Sequence, residues 1–307
     1  MILKEGSRGE GVKKLQTSLN LKADGVFGPN TKTKVIEFQL NNQLTPDGIV
    51  GRKTWEVIGL DTDQTGIITD TEYVTTNGLT INKKYLNDTE YVQDYGEIEP
   101  RGFFIHHTAG WNNPYEVVRS WNNDTRGRVA TQYIIGGSNV RKKSSKYDGV
   151  VVECFPNNYL GWHLGKVGNF NISKFSGGIE LNNFGYLKEK NGKFYTYVNV
   201  EVNKEHVCDL GYEFRGYRYW HSYTDSQIES LRLLLLHIKE IYPKADITNG
   251  LPKLLNDGVD PKTAFEFNDD AYYAKQFGLW THTNVRKDKF DCFPQPELVE
   301  MLKTFNK

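Results

Sequence analysis

Apolar positions recur at helical spacing in the first fifth of the chain. Val12, Leu15 and Leu19 form one stripe, and Val35, Ile36, Phe38 and Gln39 gather on one side of a second helix. Trp55, Val57 and Ile58 open a third. Between the stripes, "DGVFGPNT" (Asp24 to Thr31) is answered by "DGIVGRKT" (Asp47 to Thr54). Asp-Gly, an apolar pair and a further Gly read as a tight turn leading into a helix, with the final Thr near its N-terminal turn. Residues 1–60 therefore predict a small three-helix domain. Periodicity then lapses in the Thr- and Asp-rich "GLDTDQTGIITDTEYVTTNGLT", which reads as an extended, solvated linker over 61–80. Apolar anchors return in "INKKYLNDTEYV", so a second domain is expected over 81–307.

Beyond Arg101 the period changes. "FFIHHTAG" (Phe103 to Gly110) reads as a short buried strand running into a turn. "TQYIIGG", "GVVVECF" and "SGGIELNN" are further strand-like runs, and "PYEVVRSWNND" carries Val117, Val118 and Trp121 at helical spacing. "DSQIESLRLLLLHIKEIYP" is a strong amphipathic helix, with Ser222 or Thr224 as its N-cap and Pro243 as its stop. Residues 187–222 read as an elaborated hairpin whose Tyr195, Tyr197 and Tyr219 serve sheet packing rather than a sugar platform. Strands interleaved with helices predict an α/β fold, a mixed sheet flanked by helices.

Composition narrows the function classes. With 38 basic and 38 acidic residues the formal net charge is zero, so bulk charge points to no polyanion such as nucleic acid. The opening "MILKEGSRGEGVKK" lacks an apolar core, so no secretory signal is expected. No apolar run reaches membrane-spanning length; the longest, Leu231 to Ile238, contains Arg232 and His237. Cys154, Cys208 and Cys292 are odd in number and far apart, which suits a reducing compartment.

Candidate chemistry begins with His106 and His107. Neighbouring strand residues face opposite ways, so at most one of them serves a given site. Taken alone, the pair reads as one hydrogen-bonded core histidine and one exposed. Near the C-terminus, "LWTHTNVRKDKFDCFP" brings His282, Lys289, Asp291 and Cys292 close in sequence. Two histidines and a third N, O or S donor are the ligand count of a catalytic zinc site.

"GSRGEGVKKLQTSLN", "ADGVFGPNTKTKVIEFQ" and "TPDGIVGRKTW" together resemble the peptidoglycan-binding domain of cell-wall hydrolases, over about the first 58 residues. That module holds glycan or stem peptide and performs no chemistry. "FFIHHTAG", "GWHLGKVGNFN", "SGGIELNN" and "THTNVRKDKFDCFP", in that order across Tyr85 to Pro294, resemble the zinc-dependent N-acetylmuramoyl-L-alanine amidases of the phage-lysozyme and peptidoglycan-recognition-protein type.

That resemblance implies a cofactor and a set of roles. Zn2+ would be held by His106, His282 and Asp291, with His107 pointing away. Cys292 stands where the family motif has Pro, and is the alternative third ligand. Glu180 would be the catalytic base, with Tyr133 next in line, and Lys289 would stabilise the oxyanion. His163 corresponds to a residue lining the substrate groove, with support of a ligand or packing as the alternative, and Trp162 and Asn171 would shape that groove, whereas His206, His221 and His237 match nothing and receive no metal role. The implied protein is a monomeric endolysin whose partner is bacterial peptidoglycan, with no nucleic acid or membrane partner. It would wait in the host cytoplasm for holin-dependent release to the wall. The alternative is a non-catalytic wall-recognition protein of the same fold.

Overall fold

A computed structural model describes residues 3–42, 44, 46–51, 54–55, 58, 72–87, 89–92, 98–125, 128–140, 145–157 and 159–305. The chain divides into two compact units, Met1–Thr69 and Asp70–Lys307.

In the first unit, α1 (Glu10–Ser18) and α2 (Pro29–Asn41) enclose a core of Leu3, Val12, Leu15, Phe27, Val35, Val50 and Trp55. Of the third expected helix, Thr54, Trp55 and Ile58 are helical, and Val57 lies outside the described residues. The sequence repeat is a repeated hydrogen-bond cradle. Gln16 Nε2 donates to Asp24 Oδ1 (2.8 Å), the Val26 carbonyl (3.0 Å) and Thr31 Oγ1 (3.1 Å). Gln39 Nε2 makes the same three bonds to Asp47 (2.9 Å), Ile49 (2.9 Å) and Thr54 (3.2 Å). Each glutamine carbonyl also accepts the N–H of the turn glycine, Gly25 or Gly48, at 2.9 Å. A buried amide with every atom paired pins each turn to the helix before it.

The second unit is built on a seven-stranded mixed sheet. Its strands are β1 (Glu72–Val74), β2 (Thr80–Lys83), β3 (Gly102–His107), β4 (Tyr133–Ile135), β5 (Val151–Glu153), β6 (Ser176–Leu181) and, near the C-terminus, Leu279–Thr281. The last of these and β6 flank β3, both parallel to it. Every residue of β3 and β6 is buried, as expected of parallel strands covered on both faces. Two helices precede and follow β5: α3 (Pro114–Trp121), capped by Asn113, and α4 (Phe170–Lys174), which leads into the start of β6. The start of this unit differs from the expected linker over 61–80. Residues 72–83 form the β1–β2 hairpin, because Ile81 is fully buried and the Thr75 hydroxyl and Asn77 side chain close the turn.

The segment expected to be an elaborated hairpin is a second antiparallel sheet of β7 (Tyr186–Lys190), β8 (Lys193–Tyr195), β9 (Glu201–Val202), β10 (Val207–Phe214) and β11 (Tyr217–His221). It is anchored through Trp220, whose ring stacks on Phe293 at 4.6 Å. The long helix α5 (Asp225–Ile241) follows, and of its two candidate caps Thr224 is the one used, in a capping box with Gln227. Its Leu231, Leu234, Leu235 and Ile238 enter the main core. The helices α6 (Leu251–Asn256), α7 (Pro261–Ala264) and α8 (Asp269–Tyr272) precede the seventh strand, β12 (Leu279–Thr281). Then come α9 (His282–Val285) and α10 (Pro296–Lys303).

A candidate metal centre in the cleft of the mixed sheet

His106 is on the last turn of β3 pleating before the chain leaves the sheet, and its register partner on β6 is Glu180. Register partners in adjacent strands share a face, so His106 and Glu180 project into the same cleft. His107 pairs with Leu181 and faces the other way, where its Nδ1 lies 3.0 Å from the Tyr223 hydroxyl. Strand β12, on the opposite side of β3, delivers His282 at the first residue of α9. The loop after α9 then returns Asp291, fixed by the Thr283 N–H donating to the Asp291 carbonyl at 3.0 Å.

Three atoms converge. His106 Nδ1, His282 Nδ1 and Asp291 Oδ2 are separated pairwise by 3.1, 3.1 and 3.0 Å. The tautomers follow from the other ring nitrogens. His282 Nε2 meets the Leu164 carbonyl at 3.3 Å, an acceptor, so Nε2 carries that ring's proton. His163 Nε2 lies 3.2 Å from Ser176 Oγ and 3.4 Å from the Ser176 carbonyl. Its Nδ1, 2.9 Å from His106 Nε2, is therefore the acceptor, and His106 donates from Nε2. Both Nδ1 lone pairs and a carboxylate oxygen are thus aimed at one point with no proton between them. Three acceptors this close repel one another unless a cation sits among them. Tetrahedral coordination at the usual zinc bond lengths, about 2.0–2.1 Å, implies ligand–ligand edges of about 3.3 Å, close to those observed. The donor set fits zinc.

Burial, reinforced by the neighbouring His282, lowers the His106 pKa to about 4, which keeps its lone pair free at neutral pH. Glu180 behaves oppositely. Burial and then the Asp291 charge push its carboxyl well above the usual range, while the Lys289 ammonium pulls it back. Lys289, Glu180 and the three converging residues all line one cleft of about 700 Å3.

The remaining expected residues separate. Trp162 lines the cleft, its ring packed against Phe170. His163 also borders the cleft, yet both its nitrogens are engaged, so it orients His106 and has no free polar atom for a ligand. Gly178 makes room for that ring, since a Cβ there would sit 3.0 Å from His163 Cγ. Asn171 is a correction: it is exposed on α4, which enters β6 from the end opposite Glu180, and it is not among the cleft residues. Cys292, the alternative ligand, is buried beside the Tyr223 hydroxyl on the His107 side, away from the converging atoms. Tyr133 pairs with Ile179 and is fully buried on the face opposite Glu180, which removes it as an alternative base. The sequence reading missed Arg286 and Asp124 in the cleft wall, and it gave Tyr197 to sheet packing, whereas Tyr197 is half exposed and lines the cleft. Tyr197 arrives on the turn between β8 and β9, its hydroxyl donating to the Ala109 carbonyl at 2.9 Å.

A model of the N-acetylmuramoyl-L-alanine amidase family matches residues 96–253, more than half of the chain. The chain belongs to that family. Its amidase match contains His106, His163 and Glu180, and ends before His282. A peptidoglycan binding domain model matches residues 8–58. An uncharacterized protein in the bpoA1 3'region of Kitasatospora aureofaciens is 37% identical over 70 residues, covering 20% of this amidase-family chain and 59% of that relative. The chain thus spans about three-fifths of the length of that curated relative. Among solved structures, a seleno-methionine AmpD derivative is 14% identical with a TM-score of 0.43, covering 76% of this chain and 99% of that one. The amidase LysC from Clostridium intestinale URNW is 16% identical with a TM-score of 0.37, covering 74% of this chain and 98% of that one.

Proposed function

We propose that the second unit hydrolyses the amide joining the lactyl group of N-acetylmuramic acid to L-alanine of the peptidoglycan stem peptide, and that the first unit holds the chain to the wall. The observation carrying this reading is the convergence of three unprotonated donors beside a carboxylate on the same sheet face. Zinc bound there supplies a Lewis acid that polarises a carbonyl and acidifies a water. Glu180 accepts the proton of the attacking water and passes it to the departing amine nitrogen, so the carboxylate is regenerated in each turnover. Lys289 sets its positive charge against the negative charge that builds on the carbonyl oxygen. His163 holds the His106 ring in the tautomer that keeps Nδ1 unprotonated.

The pairing of a wall-binding unit with an amidase unit supports a lytic role of the endolysin kind; a monomer that reaches the wall from the host cytoplasm is part of the proposal and rests on the resemblance alone. Mass spectrometry of peptidoglycan digested by the full chain tests it. The expected products are free stem peptides with an L-alanine amino terminus beside uncut glycan strands. Chelation should stop their release and added zinc restore it. Wall binding without stem-peptide release would instead identify a recognition protein.

A further inference from the structure

The second sheet has a feature the amidase chemistry does not use. At the tip of the β10–β11 hairpin, Phe214 pairs with Tyr217, leaving Arg215 and Gly216 as a two-residue loop with φ of 53° and 81°. Such loops favour Asn, Asp or Gly, because both residues are left-handed. An arginine there holds a conformation that few residues other than glycine adopt. Its side chain turns inward rather than to solvent, and is only 10% exposed. Nη1 donates to the Lys287 carbonyl at 2.7 Å and Nη2 to the Thr283 carbonyl at 3.0 Å. Nη2 also lies 2.9 Å from Glu266 Oε2, which holds the guanidinium in place.

Both carbonyls belong to the segment that carries the site, Thr283 in the short helix α9 and Lys287 in the loop after it. Thr283 follows His282 directly, and its N–H holds Asp291; Lys287 is two residues before Lys289. The guanidinium therefore spans the loop from its root at α9 to the residue before the lysine's turn. We propose that Arg215 is a positioning residue, through which the second sheet braces the 283–291 segment and fixes where Lys289 presents its charge. The kinetic half of this inference rests on the amidase reading. A charge on a flexible four-carbon stem stabilises a transition state only if its backbone is held, since misplacement of about 1 Å can cost on the order of a hundredfold. The planar fork of arginine suits two carbonyls at once, which a lysine cannot match.

The test is a double-variant cycle on the full chain, with soluble muropeptide as substrate and zinc content measured on each preparation. Arg215→Ala should lower kcat by about tenfold or more, with KM within about twofold and zinc unchanged. In a Lys289→Ala background the same change should alter kcat by less than about twofold, because its route of action is gone. Arg215→Lys should recover part of the loss. Hydrogen exchange over 283–291 should rise in Arg215→Ala while α5 stays protected. Unchanged kcat, losses that multiply in the double variant, or unchanged exchange would each overturn the brace. If the wild-type chain releases no stem peptide, the amidase reading falls, and the exchange of 283–291 still decides the brace.

Discussion

Replacing Glu180 by Gln separates proton transfer from metal holding. The carboxylate shares the cleft with His106, His282 and Asp291 but is not one of the three converging donors. Glutamine keeps the shape and removes the base. General-base catalysis of this kind contributes about 10²–10⁴ in rate, so kcat should fall by that factor, about 3–5 kcal/mol in the barrier, with zinc stoichiometry unchanged. The structure also sets the sign of the stability effect. Burial raises the Glu180 carboxyl well above its usual range. An acid whose folded pKa exceeds its unfolded value costs stability once the pH passes the unfolded value, at about 1.4 kcal/mol per unit of difference. In chelated protein above about pH 5, the Gln variant should therefore be at least as stable as wild type, with a flatter pH dependence. Urea denaturation of the chelated proteins, elemental zinc analysis and muropeptide turnover on the same preparations make the assay. Wild-type turnover in the Gln variant would refute the base assignment. Loss of zinc would make Glu180 a ligand or its support, and lower stability at neutral pH would refute the reading of its burial.

His163→Ala removes the acceptor that fixes the His106 tautomer, so zinc affinity should drop about 10–100-fold, with full occupancy regained in excess zinc; chelator competition reads this, and unchanged affinity would sink the orienting role. A second pH effect is expected away from the site, at Glu153. Burial raises its carboxyl to about 7 from 4.5, while Lys83 and a 3.1 Å bond from Tyr85 act against the rise. The folded state then binds more protons between those values, so stability is fully present below about pH 4.5 and is lost as the pH climbs through 7, by up to about 3 kcal/mol. Glu153→Gln should abolish that decline in denaturation curves taken from pH 4 to 8, and an unchanged decline would assign it to other groups.

What could be read in the sequence is what local chemistry encodes. The duplicated Asp-Gly turns announce a duplicated unit because each glutamine cradle closes within fifteen residues of Gln16 or Gln39. Strand alternation alone separates His106 from His107 and sets Glu180 apart from Ile179 and Leu181. The choice between Asp291 and Cys292 was not legible: both side chains are good zinc donors, and only the packing of the loop turns one to the cleft and the other to Tyr223. For His163 the sequence left groove lining and support of a ligand open, and the choice depends on a contact with a residue 57 positions away. Asn171 was placed in the groove by the resemblance alone; it stands on α4 at the start of β6, the end opposite Glu180. The second sheet was visible only as alternating aromatics. That its arginine meets backbone carbonyls 68 and 72 residues further on is decided by how Trp220 seats the sheet on Phe293, an aromatic contact between distant segments that no local pattern encodes.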